Sequence, residues 1–265
     1  MPTSLVYKCL RTFVPALLLL PLAASAESSP EAVQWIQKVA KVYEKGPLTA
    51  DFAMELAPAP AMPLSGQASG RLVQKDAHHV RMEMAFEMGG AGGQPGMKLN
   101  VLSVNDGTTL WNEVDTGMGK QVTKLALADA EKMAQQSPFG VSMAGSGIDP
   151  VAQVEQLAKI LDFEVVDTSD GQVTLRAALT EESLKAFSGS AAMPGFETVT
   201  LVLDTRTAFP VRLTIGGAEP VITVRFDNLK FVPESEMPAG AFEYTPPEGV
   251  PVIDAAAMMQ RQGGG

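Results

Sequence analysis

Between Val80 and Met88 the chain alternates with a period of two. Val80, Met82, Met84, Phe86 and Met88 fall on one face, and Arg81, Glu83 and Glu87 on the other. Successive side chains of a strand point to opposite sides of the sheet. A strand with one apolar and one charged face belongs to a sheet buried on one side only, which is the habit of antiparallel sheets. This stretch constrains the fold more tightly than any other.

Its neighbours extend the pattern. Phe52, Met54 and Leu56 alternate with Ala53 and Glu55. After a Pro/Ala/Gly/Ser loop over 57–70, a second strand opens at Gly70-Arg71-Leu72-Val73. The glycine cluster 89–93 makes a hairpin loop, Met97, Leu99 and Val101 continue the inward face, and Asn105-Asp106-Gly107 turns the chain into Thr108–Trp111. Further alternating strands are predicted over 163–167, 172–178, 197–204, 209–216 and 220–231.

Helices interrupt these runs. Ser29 caps the first, Pro30 suits its first position, and Val33, Ile36, Val39, Ala40 and Tyr43 recur at helical spacing until Gly46-Pro47. A second helix is predicted over 125–135, followed by a loop holding Phe139, Val141 and Met143. Asp149-Pro150 starts a third helix carrying Val151, Val154, Leu157 and Leu161, and Thr180 caps a short fourth through Phe187. No internal repeat or domain-splitting linker is found. The expectation is one α+β domain over 27–254, a strongly curved antiparallel sheet whose concave face the helices cover, with a disordered tail over 255–265.

Residues 1–26 read differently. Lys8 and Arg11 precede an apolar core from Phe13 to Leu22, and Ala24-Ser25-Ala26 is a small-x-small cleavage site. This is a secretory signal peptide, since the apolar run is shorter than the ~20 residues of a spanning helix. The single cysteine, Cys9, lies upstream of the apolar core and not at the cleavage site, so it is not a lipidated cysteine. Removing Lys8 and Arg11 from 20 basic residues leaves 18 against 30 acidic ones, a formal −12 on a cysteine-free exported chain. Such a chain folds without disulfides and is expected to be soluble, in the periplasm.

Composition also excludes function classes. An acidic chain lacks the basic footprint of a nucleic-acid binder. His78 and His79 are the only histidines, and as neighbours in a strand they point to opposite faces. No Gly-x-Ser-x-Gly elbow, His-Glu-x-x-His pair or phosphate loop occurs. Acidic pairs such as Glu181-Glu182, or Asp227 with Glu234, read as solvated surface. No catalytic residue, metal site or cofactor is assigned.

The methionines are the distinctive feature. Nine of 14 lie between positions 54 and 143, several at inward-facing strand positions. They fill a core, or they line a deformable apolar cavity, because unbranched polarizable Met suits surfaces that repack around variable ligands. A copper reading uses His78, His79, Met82 and Met84, although Met82 and Met84 share their face with Val80 and Phe86.

Three local motifs carry a family resemblance. Phe242-Glu243-Tyr244-Thr245-Pro246-Pro247-Glu248-Gly249-Val250 has the pattern aromatic, x, aromatic, x, Pro-Pro, x, Gly-Val. Val104-Asn105-Asp106-Gly107-Thr108-Thr109-Leu110-Trp111 is a hairpin ending in Leu-Trp, and Val199 to Pro210 is strand, turn, strand ending in Pro. With the order of elements, these make the chain resemble the outer-membrane lipoprotein carrier family (LolA-like). The resemblance implies an incomplete half-barrel whose open side is lidded by helices. It also implies a non-catalytic carrier for the acyl chains of lipoproteins or other lipids, exchanging with membrane-bound donor and acceptor proteins. A sixteen-carbon chain costs on the order of 12 kcal/mol to leave in water, at ~0.8 kcal/mol per methylene, so a carrier must enclose it. The chain departs from the family where Asp76-Ala77 stands in place of Arg-Pro and Met82 in place of an aromatic residue.

The expected ligand-lining residues are Phe52, Met54, Leu56, Leu72, Val80, Met82, Met84, Phe86, Leu99 and Val101 from the sheet. Phe139, Val141, Val154 and Leu157 are added from the helical cover. The molecule is expected to be a monomer. A regulatory interaction module, whose sheet edge or acidic face engages an envelope partner, is the alternative from another class.

Overall fold

The computed structural model describes residues 28–60, 65–89, 96–136, 149–188 and 193–257. The predicted leader over 1–26 and residues 258–265 lie outside them. The first half of the chain supplies β1 (Leu48–Leu56), β2 (Gly66–Asp76), β3 (His79–Met88), β4 (Met97–Asp106), β5 (Thr109–Asp115) and β6 (Lys120–Ala126). The second half supplies β7 (Glu164–Ser169), β8 (Gln172–Ala178), β9 (Thr198–Asp204), β10 (Pro210–Gly216), β11 (Pro220–Phe231) and the short β12 (Val252–Asp254). Among the described residues the helices are α1 (Pro30–Ala40), α2 (Leu127–Gln136), α3 (Pro150–Leu157) and α4 (Glu181–Ser188).

All twelve strands belong to one open sheet in the order β12-β6-β5-β4-β3-β2-β1-β11-β10-β9-β8-β7. Pairing is antiparallel throughout except where β12 lies parallel to β6. The fold is therefore α+β, a curved half-barrel left unclosed between β12 and β7. The two halves of the chain meet where β1 pairs with β11, as in Phe52 with Phe226 and Met54 with Val224.

Local chemistry places the helices as predicted. Ser29 Oγ accepts from the Ala32 N–H at 3.2 Å, and Asp149 Oδ1 accepts from the N–H groups of Val151 and Ala152 at 2.9 and 3.1 Å. Helix α1 ends at Ala40, earlier than the periodicity suggested, and a 3-10 turn over Val42–Lys45 carries the chain to Gly46 at φ +105°.

Three boundaries need correction. Strand β2 starts at Gly66, so the preceding loop is shorter than 57–70. Leu125 was expected to open the second helix. It lies instead in β6, paired with Leu110, and the helix begins at Leu127. Cross-strand pairing along β5 overrides the helical preference of that Leu/Ala run. Residues 255–257 form a helical turn after β12, within the stretch expected to be a disordered tail.

The main hydrophobic core lies between the inward face of the sheet and helices α1 and α3. Ala32 and Val39 of α1, and Val151, Val154 and Leu157 of α3, pack with Leu48, Phe52, Leu72, Val173, Leu175 and Leu201 of the sheet.

Candidate ligand-binding face

Strand register determines which residues share the inward face. Met54, Ala68, Phe86 and Leu99 form one transverse row across β1 to β4, and Phe52, Gly70, Met84, Val101 and Val114 form the next across β1 to β5. A third row runs Ala50, Leu72, Met82, Ser103, Asn112 and Thr123 across β1 to β6.

The expected lining residues separate into two groups on this face. Phe52, Leu72, Val80, Met82, Val154 and Leu157 are buried and share the core cluster with α1 and α3. Met54 and Met84 are partly exposed at its margin. Leu56, Phe86, Leu99 and Val101 are partly exposed and lie beyond the cluster. Phe139 and Val141 are outside the described residues. A groove of about 460 Å³ opens at the Leu56 end of the sheet, lined by Leu56, Met88 and Met97 together with the polar Gln67, Glu87 and Lys98.

Small residues shape the middle of the strip. Strand β2 turns Gly66, Ala68 and Gly70 inward, between larger side chains of β1 and β3. A Cβ on Gly70 would stand 2.7 Å from the Phe52 ring and 1.9 Å from the Glu83 carbonyl oxygen. Glycine is thus required at position 70 by the Glu83 carbonyl oxygen first, and by the Phe52 ring after it.

Polar groups also face inward. Gln74 follows Leu72 by two residues, is wholly buried, and donates from Nε2 to the Tyr43 hydroxyl at 2.8 Å. That hydroxyl donates to the Asp149 carboxylate at 2.5 Å. Burial first, and then the Asp149 charge, push the Tyr43 phenol far above its ordinary range. Burial pushes the Asp149 carboxyl up as well, against the hydrogen bonds it accepts from Tyr43, Ala152, Gln74 and Val151.

The segment from Pro238 to Gly249 runs along the outward face, beside Val73 and Arg81 at its start and Trp111 and Glu113 further on, before the chain joins the sheet edge as β12. Tyr244 donates to Glu113 Oε2 at 2.8 Å and stacks near Trp111 with ring centroids 5.3 Å apart, while Phe242 meets His79 edge-on at 5.6 Å. Val73, Val104 and Val122, all outward by parity, are 6 %, 1 % and 0 % exposed. The aromatic and Pro-Pro pattern of 242–250 is therefore the sequence of a strap. Gly249, at φ +76°, turns it toward β12.

Several expected features find other roles. Asp76 accepts from the N–H groups of His78 and His79 at 2.8 and 2.9 Å and contacts the His79 ring, so it builds the β2–β3 turn. Of the proposed copper ligands, Met82 is 3 % exposed within the core cluster while His78 is at that exposed turn. The free edge strand β7 carries a bulge between Val165 and Asp167 and the acidic side chains Glu164 and Asp167. Bulges and charges of this kind discourage edge-to-edge pairing.

No family model and no curated protein matches the sequence. Solved structures do. MucB is similar at 16 % identity and TM-score 0.42, over 83 % of this chain and 69 % of that one. An uncharacterised conserved protein from Thermus thermophilus is similar at 11 % identity and TM-score 0.42, over 84 % and 99 %. LprF from Mycobacterium bovis is similar at 15 % identity and TM-score 0.42, over 78 % and 96 %.

Sequence reasoning missed the polar cluster and the strap's partners. Gln74 was legible by parity, two residues after inward Leu72, as a polar group entering the core. Its link to Tyr43 and Asp149 spans 31 and then 106 residues and has no local signal. The outward burial of Val73, Val104 and Val122 was likewise concealed, because the C-terminal segment that runs along that face is distant in sequence.

Proposed function

We propose that the protein is a non-catalytic carrier that binds an acyl chain of a lipoprotein or another lipid against the inward face of the half-barrel. One observation carries this reading: the partly exposed apolar strip formed by Met54, Leu56, Met84, Phe86, Leu99 and Val101. Apolar side chains this large gain ~25 cal/mol per Å² when covered, and the adjoining row of Ala50, Leu72 and Met82 is already buried in the core. Methionine at positions 54 and 84 adapts to chains of different shape. The local resemblance of 104–111 and 242–250 to lipoprotein carriers supports the same reading. Phe52, Leu72, Val80, Met82, Val154 and Leu157 then form the wall behind the ligand, with Phe139 and Val141 assigned to the cover.

The predicted leader would deliver the carrier to the periplasm, where membrane-bound donor and acceptor proteins would load and unload it. No helix among the described residues is long and apolar enough to cross a membrane. The test is native mass spectrometry of the mature chain purified without detergent, together with titration by a fluorescent fatty acid. Bound lipid, or saturable uptake that Met84→Glu and Leu99→Glu abolish while the fold persists, is expected. An empty protein that takes up no fatty acid would overturn the reading.

A further inference from the structure

Among the described residues, the inward face of β1 to β6 carries no charged side chain. Over residues 48–56, 66–74, 80–88, 97–105, 110–114 and 121–125 the charged side chains all fall in outward rows, as Asp51, Arg71, Glu83 and Glu113 do in one of them. Polarity on the inward face changes along the strands instead. On β4 the inward side chains are Met97, Leu99 and Val101 and then Ser103. On β5 they are Val114 and then Asn112, whose neighbour on β6 is Thr123. Asn112 and Thr123 are partly exposed, as are Val101 and Val114 beside them. From Met97 to Ser103 the strand rises about 20 Å at ~3.4 Å per residue, the scale of a long acyl chain.

The polar end of this face has hydrogen-bonding capacity to spare. Ser103 Oγ donates to Asn112 Oδ1, and Thr123 Oγ1 to the Asn112 carbonyl oxygen, both at 3.4 Å. Bonds of that length are weak. The Asn112 Nδ2 group has no acceptor among the described residues. A neutral carbonyl needs one such donor. A carboxylate or phosphate entering the same place would lose water with no inward Lys or Arg to replace it, and an unpaired buried charge is costly. Asp149, the acid that α3 brings to the cover, is engaged by Tyr43 and by the N–H groups of Val151 and Ala152, and it would repel an anion.

We propose that the bound lipid lies along β4 with its tail toward Met97 and an uncharged ester or hydroxyl end at Asn112 and Thr123, so that the protein selects neutral acyl esters over free fatty acids and phosphate-bearing lipids. Resting on the carrier reading above, this adds the chemistry of the ligand's polar end. The Asn112 amide donates to the ester carbonyl, and the Thr123 hydroxyl meets the alcohol. Ser103, 3 % exposed, braces the Asn112 amide. The tail covers Val101, Leu99 and Met84, where no polar group needs a partner. A carboxylate would have to keep its water, and so could not bring its tail as far along the face.

Displacement of the uncharged probe N-phenyl-1-naphthylamine from the mature chain tests the selection. Monolauroylglycerol and laurate are compared below their micelle concentrations at pH 8, where the carboxyl is ionised. Monolauroylglycerol is expected to bind about tenfold more tightly or better, with laurate still held through its tail. Asn112→Leu should narrow that ratio about fivefold, the loss of one hydrogen bond. Thr123→Lys supplies a cation and should reverse the order in favour of laurate, an effect that a merely structural role would not produce. Equal binding of the two lipids by the natural protein, or tighter binding of laurate, overturns the selection and leaves the carrier reading standing. A ratio unchanged in Asn112→Leu and in Thr123→Lys overturns the placement of the polar end. If neither lipid displaces the probe, the carrier reading falls and this inference with it.

Discussion

Strands β8 to β10 and strands β4 to β6 belong to one sheet, yet their deepest burial lies on opposite faces. On β8 to β10 the inward side chains Val173, Leu175, Ala177, Val199, Leu201, Leu203 and Ile215 are at most 1 % exposed. On β4 to β6 the outward Val104 and Val122 are buried beneath the C-terminal strap, while inward Leu99 and Val101, with Met84 and Phe86 of β3, stay partly exposed. The difference separates two tasks. One half packs its inward face permanently and supplies stability. The other is held by its outward face, and part of its inward apolar surface stays exposed, where the proposed ligand would lie.

This contrast orders the consequences of substitution. Phe209 is wholly buried and meets Phe226 edge-on at 5.5 Å. Phe209→Ala should cost about 3–5 kcal/mol in urea denaturation, and a loss below about 1 kcal/mol would break the assignment of stability to that half. Gly70→Val drives a side chain into the Phe52 ring and the Glu83 carbonyl. A cost of about 1–3 kcal/mol is expected from such overpacking, read as a lowered melting temperature. An unchanged melting temperature would show that β2 can move away from β1.

The strap is probed by Tyr244→Phe, which removes one hydrogen bond to Glu113 and should cost about 1 kcal/mol. Glu113 sharpens this through pH. The Lys120 ammonium first, and the Tyr244 hydroxyl after it, hold its carboxyl below the ordinary range. A depressed carboxyl contributes stability that is present above its unfolded pKa and fades as pH falls through the folded one. Melting temperatures measured from pH 7 down to pH 3 should therefore fall less steeply in Glu113→Gln. An identical acid slope would remove Glu113 from the strap's energetics.

The smallest effect on stability is expected on the open inward strip. Leu99→Ala should stay within about 1 kcal/mol of the natural protein, while fatty-acid uptake falls severalfold. If Leu99→Ala destabilises as much as Phe209→Ala, the open half is a packed core and the comparison fails.

Much of the sheet was legible because strand alternation is a local property. Val80 to Met88 and the strands over 197–231 could be assigned inward and outward faces from parity alone, and the caps at Ser29 and Asp149 are chemistry of adjacent residues. β6 was not legible, since its Leu/Ala run favours helix until β5 pairs with it along its length. Of the candidate site, the inward parity of Met54, Met84, Phe86, Leu99 and Val101 was legible. Which of these stay partly exposed was not, because exposure depends on where α1 and α3 come to rest.

By itself the sequence determined an α+β chain with a one-sided antiparallel sheet, capped helices and little imidazole or thiol chemistry. These follow from period, capping chemistry and the shortage of histidine and cysteine, all of which act over a few residues. Tertiary structure alone decided that the strap runs along the outward face of Val73, Val104 and Val122, that Phe52 lies over Gly70, and that Gln74 meets Tyr43 and Asp149. Such contacts join positions far apart in the chain, and their free energy exists only once the curved sheet has brought them within bonding distance.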